Sequence, residues 1–429
     1  MPDAALSNRP ATHPLQSAQA ASDLRDWPQV LALLQGLING GGFDPTDEVT
    51  LQSTVDLALD LLVEGEFQER WEGAKVLAKL GDRAIEGLID LVQDSEIDPD
   101  ARWFGIRVLT EFQSPQIIPL LIALLQDSQD PDLQTMAVNS LGQMGQAVLP
   151  HLDSLYGQPQ TRRLAAQVLS LVRHSQTIPP LLALAQDSQA ETRAIAIEAL
   201  GSFHSPQIAQ TLLNALQDKA SIVRSAAVKG IGFCAQELQA VDWVGAIVPM
   251  LNDLNLDTCR HSALTLSRIA TPESALALHR ALTQPHLPES LGLEFIRALG
   301  WIEHPTALNL LMDAIQNANL TKRLRQEACN LLGRRQQARL HSSQLLQVYL
   351  PDSPPELRAS LVTALGQLAE PSAIAPLVAL IPTADGHLRL HIIAALRSID
   401  PLLAQQALQA ATNADPTHPG LQQALKEWG

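Results

Sequence analysis

A short motif recurs along this 429-residue chain at intervals of about 32 residues. Its clearest copies place a leucine or isoleucine seven residues after an arginine and follow it with glycine; they span residues 193–201, 224–232, 325–333 and 358–366. Alignment on that leucine or isoleucine gives eleven anchor positions: Leu77, Leu109, Leu141, Leu169, Leu200, Ile231, Leu266, Leu299, Leu332, Leu365 and Leu396. Because successive anchors lie 28 to 35 residues apart, the chain is predicted to be a stack of similar units, each packing on its neighbours.

Each unit is predicted to be a hairpin of two helices. Around the anchor, apolar residues follow a helical period, as at Ala196, Ile197 and Leu200. A first helix precedes this second helix and begins near a proline, which suits the first helical turn. Several first helices carry another proline, such as Pro119 or Pro376, and these helices are expected to be bent.

The turns of the hairpins carry a charge pattern. An aspartate in the turn precedes an arginine of the second helix by six residues, as in Asp187 and Arg193 or Asp218 and Arg224. This pattern resembles the Asp/Arg ladder of HEAT repeats, as do the bent first helix and the second helix that begins Val/Leu-Arg-x-x-Ala. The resemblance covers about residues 65–405. It implies an all-α fold, an α-α superhelix of the HEAT/armadillo solenoid type with roughly ten to eleven helical hairpins.

The short units are most similar to the HEAT-like repeats named after phycobilisome lyases. That class contains cyanobacterial bilin lyases and also scaffolds without catalytic activity. The resemblance therefore implies either a non-catalytic protein-binding scaffold or assembly chaperone that uses the concave face, or a phycobilin lyase or lyase subunit acting on phycobiliproteins. A bilin ligand is expected only for the lyase; otherwise no cofactor is expected. The His-Glu pairs of the HEAT-like deoxyhypusine hydroxylases are missing.

Composition divides the chain into four segments. Residues 1–22 are rich in Ala, Gln, Ser and Pro and are predicted to be a disordered tail. Residues 23–65 are predicted to form N-terminal capping helices, residues 66–401 the repeat solenoid, and residues 402–429 a C-terminal capping helix.

The net charge of −16 makes nucleic-acid binding an unfavourable function, since an acidic surface repels phosphate. No apolar run is long enough to span a membrane, and no signal peptide is recognisable. The three cysteines have no paired spacing, which is typical of a reducing, cytoplasmic location. The expected partner is another protein.

The sequence contains no recognisable catalytic motif. His387 and His391 have the spacing of a metal-binding pair on a helix, but no third ligand is evident nearby. Cys329 falls in a core column and is expected to be a buried small apolar residue. No catalytic and no metal-binding residue is predicted.

Two groups of residues depart from the repeat pattern and are candidates for binding. Trp71 and Trp103 occupy the same position in adjacent units, and Lys75 and Arg107 lie four residues after them. Exposed tryptophans beside cations on a concave face would form a binding hot spot. In the alternative interpretation, both tryptophans pack beneath the N-terminal helices.

The second departure is a basic segment, residues 322–339, with a local charge of +5. Its candidate residues for binding an anion or an acidic partner are Lys322, Arg323, Arg334, Arg335 and Arg339. In the alternative interpretation, these side chains pair with acidic groups of the same chain.

Overall fold

The computed structural model describes residues 14–40, 47–237 and 241–429. Their regular structure is helical, with 25 α-helices and no strand among these residues, which confirms the all-α fold class. The chain divides into two compact units, Met1–Leu200 and Gly201–Gly429.

In unit 1, the helices alternate along the chain as the hairpin prediction requires. The α-helices are α1 Pro14–Asp23, α2 Trp27–Asn39, α3 Glu48–Glu64, α4 Phe67–Leu80, α5 Ile85–Gln93, α6 Pro99–Phe112, α7 Ile118–Asp127, α8 Pro131–Gln143, α9 Pro159–Leu171, α10 Ile178–Leu184 and α11 Ala190–Leu200. 3-10 segments precede or replace some first helices: Gly81–Ala84, Pro115–Ile117, Gly145–Tyr156 and Ser175–Thr177.

Unit 2 continues the same alternation. Its α-helices are α12 Pro206–Ala215, α13 Ser221–Cys234, α14 Trp243–Ile247, α15 Leu256–Ile269, α16 Pro272–Leu282, α17 Glu289–Trp301, α18 Pro305–Gln316, α19 Lys322–Gly333, α20 Arg339–Tyr349, α21 Pro355–Leu368, α22 Ile374–Leu380, α23 Gly386–Ile399, α24 Pro401–Ala414 and α25 Pro419–Trp428. Its 3-10 segments are Val248–Asn252, Gln336–Ala338, Pro371–Ala373 and Ile381–Thr383.

The anchors form the centre of the core in both units. Each of the eleven predicted anchors lies on the second helix of a hairpin, and each is at most 1% exposed. Five of these second helices belong to unit 1 and six to unit 2, which confirms the predicted number of hairpins. Within each unit, successive second helices contact one another, as α4 does α6 and as α13 does α15.

The predicted bend in the first helices has a specific form. Pro119, Pro180 and Pro376 each lie within three residues of a junction where a 3-10 segment passes into an α-helix. A 3-10 turn is wound more tightly than an α-helix, and proline fixes φ without needing a hydrogen-bond acceptor for its nitrogen. The first helix therefore changes winding at the proline.

Both ends differ from the predicted boundaries. Residues 1–13 of the predicted disordered tail lie outside the described residues, but the prediction is wrong for residues 14–22, which belong to α1. Ala18 and Ala21 are buried there, and α1 contacts α2 and α3, so small side chains suffice to pack it. At the other end, the predicted single capping helix is a pair, α24 and α25, that contact each other.

Glycine after the anchor lets neighbouring second helices approach closely. A β-carbon added at Gly366 of α21 would lie 2.8 Å from the Cα atom of Ala395 in α23. The same applies at Gly333, where it would lie 2.8 Å from the Cα atom of Ala364. These distances are shorter than a van der Waals contact, so the recurrent glycine is required by helix packing.

The turn arginines connect adjacent hairpins. Arg224 donates from Nη1 to the carbonyl oxygen of Asp218 in its own turn, at 2.8 Å, and from Nε and Nη2 to the carboxylate of Asp253 in the next turn, at 2.6 and 2.8 Å. Equivalent ion pairs are Arg70–Asp98 at 2.7 Å and Arg162–Asp187 at 2.5 Å. The predicted ladder is thus confirmed at these hairpins, and each rung joins an arginine to the carboxylate of the following hairpin.

Where the ion pair of the ladder is missing, the side-chain hydrogen bond to a carbonyl oxygen of the turn remains. Gln134 stands in place of the arginine and donates its amide to the carbonyl oxygen of Ser128 at 2.7 Å. Arg358 donates to the carbonyl oxygen of Ser353. Closing the turn therefore depends on the carbonyl bond, whereas the carboxylate links the hairpins.

Replacing Gly366 by alanine is expected to lower the free energy of unfolding by about 1–3 kcal/mol, because the new methyl group overpacks the α21–α23 contact. Gly36 is the matched control, since nothing lies within 4 Å of a β-carbon added there. Gly36→Ala is expected to stabilise α2 by up to about 1 kcal/mol. Urea denaturation measures both changes, and equal effects of the two substitutions would contradict this explanation of the repeat glycine.

Asp253→Asn is expected to destabilise the contact between α13 and α15 by about 1–3 kcal/mol at pH 7, since the half-buried guanidinium of Arg224 loses its charged acceptor. The hydrogen bond from Arg224 holds the pKa of the Asp253 carboxyl below its usual value. The stabilisation is therefore complete above the ordinary aspartate pKa of about 3.9 and is lost as the pH falls through the lower folded-state value.

Hydrogen exchange of the α13 and α15 amides, compared between wild type and Asp253→Asn at pH 7 and at pH 3, measures this effect. The difference should shrink at the lower pH. Glu294→Gln serves as the control because its ion pair with Arg297 is exposed, and a change below about 0.5 kcal/mol is expected. A pH-independent difference at Asp253 would rule out the charge as its cause.

Candidate protein-binding site

The two predicted tryptophans lie together on the neighbouring helices α4 and α6 of unit 1. Trp71 and Trp103 are both half-buried. Their rings meet around Phe104, whose ring centroid lies 6.4 Å from that of Trp71 and 5.2 Å from that of Trp103, in edge-on geometry. Phe67, one helical turn before Trp71, stacks on it at 6.2 Å and is 68% exposed.

We call Phe67, Trp71, Trp103 and Phe104 the aromatic cluster. Phe104 is only 2% exposed, so it supports the other rings from beneath. Phe67 was not among the candidates, although its position four residues before Trp71 places both on one face of a helix. The exposed part of the cluster is thus formed by Phe67 with the accessible portions of the two tryptophans.

Both predicted cations lie over the ring of Trp71. The guanidinium of Arg107 lies over its ring at 3.9 Å from the centroid, and the ammonium of Lys75 at 5.8 Å. Lys75 also pairs with Glu72 at 2.6 Å. Arg107 is therefore positioned over the indole by a cation–π contact before any ligand binds.

The N-terminal helices reach α4 beside the tryptophans. Gln35 of α2 donates to Glu72 at 3.2 Å, and Lys79 donates to Asn39 at the end of α2 at 2.9 Å. The ring contacts of Trp71 and Trp103, in contrast, are made within α4 and α6. The placement of these residues on a concave face stays a prediction.

The predicted basic residues do not form one site. Lys322 and Arg323 begin α19, whereas Arg334 and Arg335 follow its last residue. The twelve residues of α19 separate the two groups by about 18 Å. In addition, Arg339 pairs with Glu370 at 2.7 Å and Arg323 with Glu289 at 3.5 Å, so the alternative of pairing within the chain applies to these two.

Arg334 and Arg335 line a cleft of about 450 Å³ beside the start of α18. Arg335 is half-buried, and burial lowers its pKa. Its Nη2 donates to the carbonyl oxygen of Ile302 at 3.3 Å. Arg334 is exposed and has no salt bridge to a carboxylate among the described residues. Glu303 lies in the same cleft, so the local charge of these three groups is +1.

The three cysteines are buried in the core. Cys234, Cys259 and Cys329 are each at most 1% exposed. Burial raises the pKa of Cys234 to about 11 and that of Cys329 to about 12, so these thiols are protonated at neutral pH.

The rings of His387 and His391 lie 4.7 Å apart. In the ranges that the structure describes, no group of three His, Cys, Asp or Glu residues is placed to hold a metal ion. The described helices also include none with the length and apolar character to cross a membrane.

The repeated helices match a known family. The model of HEAT repeats matches residues 95–160, 156–232 and 342–426, just over half of the chain. The chain belongs to the HEAT-repeat family. No curated protein sequence matches it.

Solved structures of Kap95 share the fold at low sequence identity. Kap95p, whose binding induces the switch loops of RanGDP to adopt the GTP-bound conformation, has a TM-score of 0.50 and 12% identity over 99% of this chain and 70% of its own. Kap95 in complex with Nup1 also has a TM-score of 0.50 and 12% identity, over 92% of this chain and 67% of its own. Importin beta has a TM-score of 0.47 and 13% identity over 96% of this chain, which spans 64% of the importin beta chain.

Proposed function

We propose that this HEAT-repeat chain is a protein-binding scaffold or assembly chaperone whose unit 1 holds a partner through the aromatic cluster and its two cations. The observation that carries the proposal is an exposed phenylalanine stacked on a tryptophan that an arginine already covers. Trp, Tyr and Arg are the residues that most often dominate binding energy in protein interfaces.

The geometry favours binding by pre-organisation. Phe67 is positioned by stacking on Trp71, and Arg107 by its contact with the same indole. Because these side chains lose little conformational freedom on binding, more of their contact energy appears as affinity. A partner that offers an apolar side chain to Phe67 and an acidic or carbonyl group to Arg107 would match both features.

The fold supports the same function. Kap95p acts on RanGDP and forms a complex with Nup1, so stacked helical hairpins of this kind provide surfaces for proteins. The finer assignment to the phycobilisome-lyase class, a cytoplasmic location and the alternative of bilin transfer stay predictions from the sequence. Expression in a bilin-producing host, followed by absorbance of the purified protein, tests the bilin alternative.

The test of the scaffold proposal compares wild type with a Phe67→Ala/Trp103→Ala variant. Proteins that bind to each of the two are captured and quantified. Any protein captured in different amounts is purified, and its dissociation constant for wild type and for the variant is then measured. The double substitution is expected to raise the dissociation constant of the true partner at least about tenfold, since it removes two aromatic contacts.

Val49→Ala is the matched control, because Val49 is a 76% exposed apolar residue of the same unit outside the aromatic cluster. It should leave the affinity unchanged. Circular dichroism and thermal melting confirm that all three proteins are folded. If the double variant retains every partner at wild-type affinity while folded, the aromatic cluster is not a binding site.

A further inference from the structure

A second row of aromatic and basic side chains lies on unit 2. Two residues after the anchors of four successive second helices, the chain has Phe233, Arg268, Trp301 and Arg334. They occupy the ends of α13, α15, α17 and α19 or the position just beyond. We call these four residues the aromatic–arginine row.

All four side chains of the row are exposed. Phe233 is 58% and Trp301 71% exposed, which is unusual for large aromatic side chains on helices whose inner faces are well packed. Arg268 and Arg334 are also exposed, and neither forms a salt bridge with a carboxylate in the described parts of the chain. The row thus presents apolar rings and unneutralised cations together.

Contacts between the helices hold the row in order. The guanidinium of Arg268 lies over the Phe233 ring at 5.4 Å, which ties α15 to α13. Helix α15 contacts α17, and α17 contacts α19. A β-carbon added at Gly300 would meet the Leu331 side chain at 2.8 Å, so α17 and α19 approach closely beside Trp301. The hydrogen bond from Arg335 to Ile302 joins the same two helix ends.

The spacing of the row defines the kind of ligand. Neighbouring packed helices lie about 8–10 Å apart, so Phe233 and Trp301, two helices apart, are separated by about 16–20 Å. An extended peptide rises about 3.3 Å per residue and covers this distance in five to six residues. Arg268 lies between the two rings and Arg334 beyond the second.

We propose that the aromatic–arginine row docks an extended acidic peptide of a partner protein, with two apolar side chains five to six residues apart and a carboxylate between them. The apolar side chains contact Phe233 and Trp301, and the carboxylate pairs with Arg268. Arg334 takes a second carboxylate after the distal apolar residue. Charge complementarity selects this occupant, because Arg268 and Arg334 form no salt bridge within the described residues, on a chain whose net charge is −16.

This site is separate from the aromatic cluster of unit 1, and each can be tested without the other. Selection of a displayed random peptide library on the full chain identifies ligands, and fluorescence anisotropy gives their dissociation constants. Enriched sequences should contain two apolar residues at the stated spacing with aspartate or glutamate between them. Exchange of those acidic residues for lysine should weaken binding at least about tenfold.

Two variants of the chain locate the peptide. Trp301→Ala and Arg268→Gln are each expected to weaken the binding of the selected peptides at least about tenfold. Val348→Ala is the control, at an 80% exposed apolar residue of α20, and should leave their binding unchanged. The Phe67→Ala/Trp103→Ala variant should bind these peptides as wild type does. Because Trp301 and Arg268 are exposed, thermal melting should show folded proteins.

Three outcomes overturn the proposal. The first is a library that yields no peptide with the acidic and apolar pattern. The second is a set of enriched peptides whose affinity is unchanged by Trp301→Ala and Arg268→Gln. The third is self-association of the chain, measured by sedimentation and abolished by Trp301→Ala, which would assign the row to contacts between copies.

Discussion

Close approach of neighbouring second helices is the constraint on which the other features of this chain depend. A leucine or isoleucine at the anchor fills the space between a hairpin and its neighbours, and glycine directly after it allows the backbones to meet, as at Gly366 and Ala395. With a larger side chain at that position, the helices would separate and the anchors would lose their packing. The ion pair of Arg224 with Asp253 and the contact of Arg268 with Phe233 both join neighbouring hairpins that this approach brings together.

The arginine–aspartate ion pairs add polar contacts of defined geometry to the apolar packing between hairpins. An arginine such as Arg224 makes bonds within its own turn and to the next turn, so the register between neighbouring hairpins is fixed by a polar contact as well as by apolar surfaces. Since each hydrogen bond involves a charged group, it is stronger than a neutral one. The turn of Gln134, which lacks the arginine, is closed by its hydrogen bond to Ser128 without this second link.

The periodic features could be predicted from the sequence, because period, anchor and proline position are local patterns. Burial of every anchor and the rung from Arg224 to Asp253 follow from them. The helix α1 could not be predicted, since its buried residues are alanines in a polar segment and only packing on α2 and α3 makes it ordered. Two other features could not be predicted either: that Arg107 lies over Trp71, and that α19 separates Arg323 from Arg334, depends on the arrangement of whole helices. Phe233 and Trp301 could have been found by reading the column two residues after the anchors.

The 3-10 segment Gly145–Tyr156 has a consequence for how this architecture tolerates deletion. A 3-10 helix rises about 2.0 Å per residue, against about 1.5 Å for an α-helix. Its twelve residues therefore extend about 24 Å, the length of some sixteen α-helical residues. The hairpin with the shortest anchor step, 28 residues, thus has a first helix that is wound more tightly and rises further per residue than an α-helix. The second helices on either side, α8 and α9, still contact each other, so a shorter repeat does not interrupt the stack of second helices.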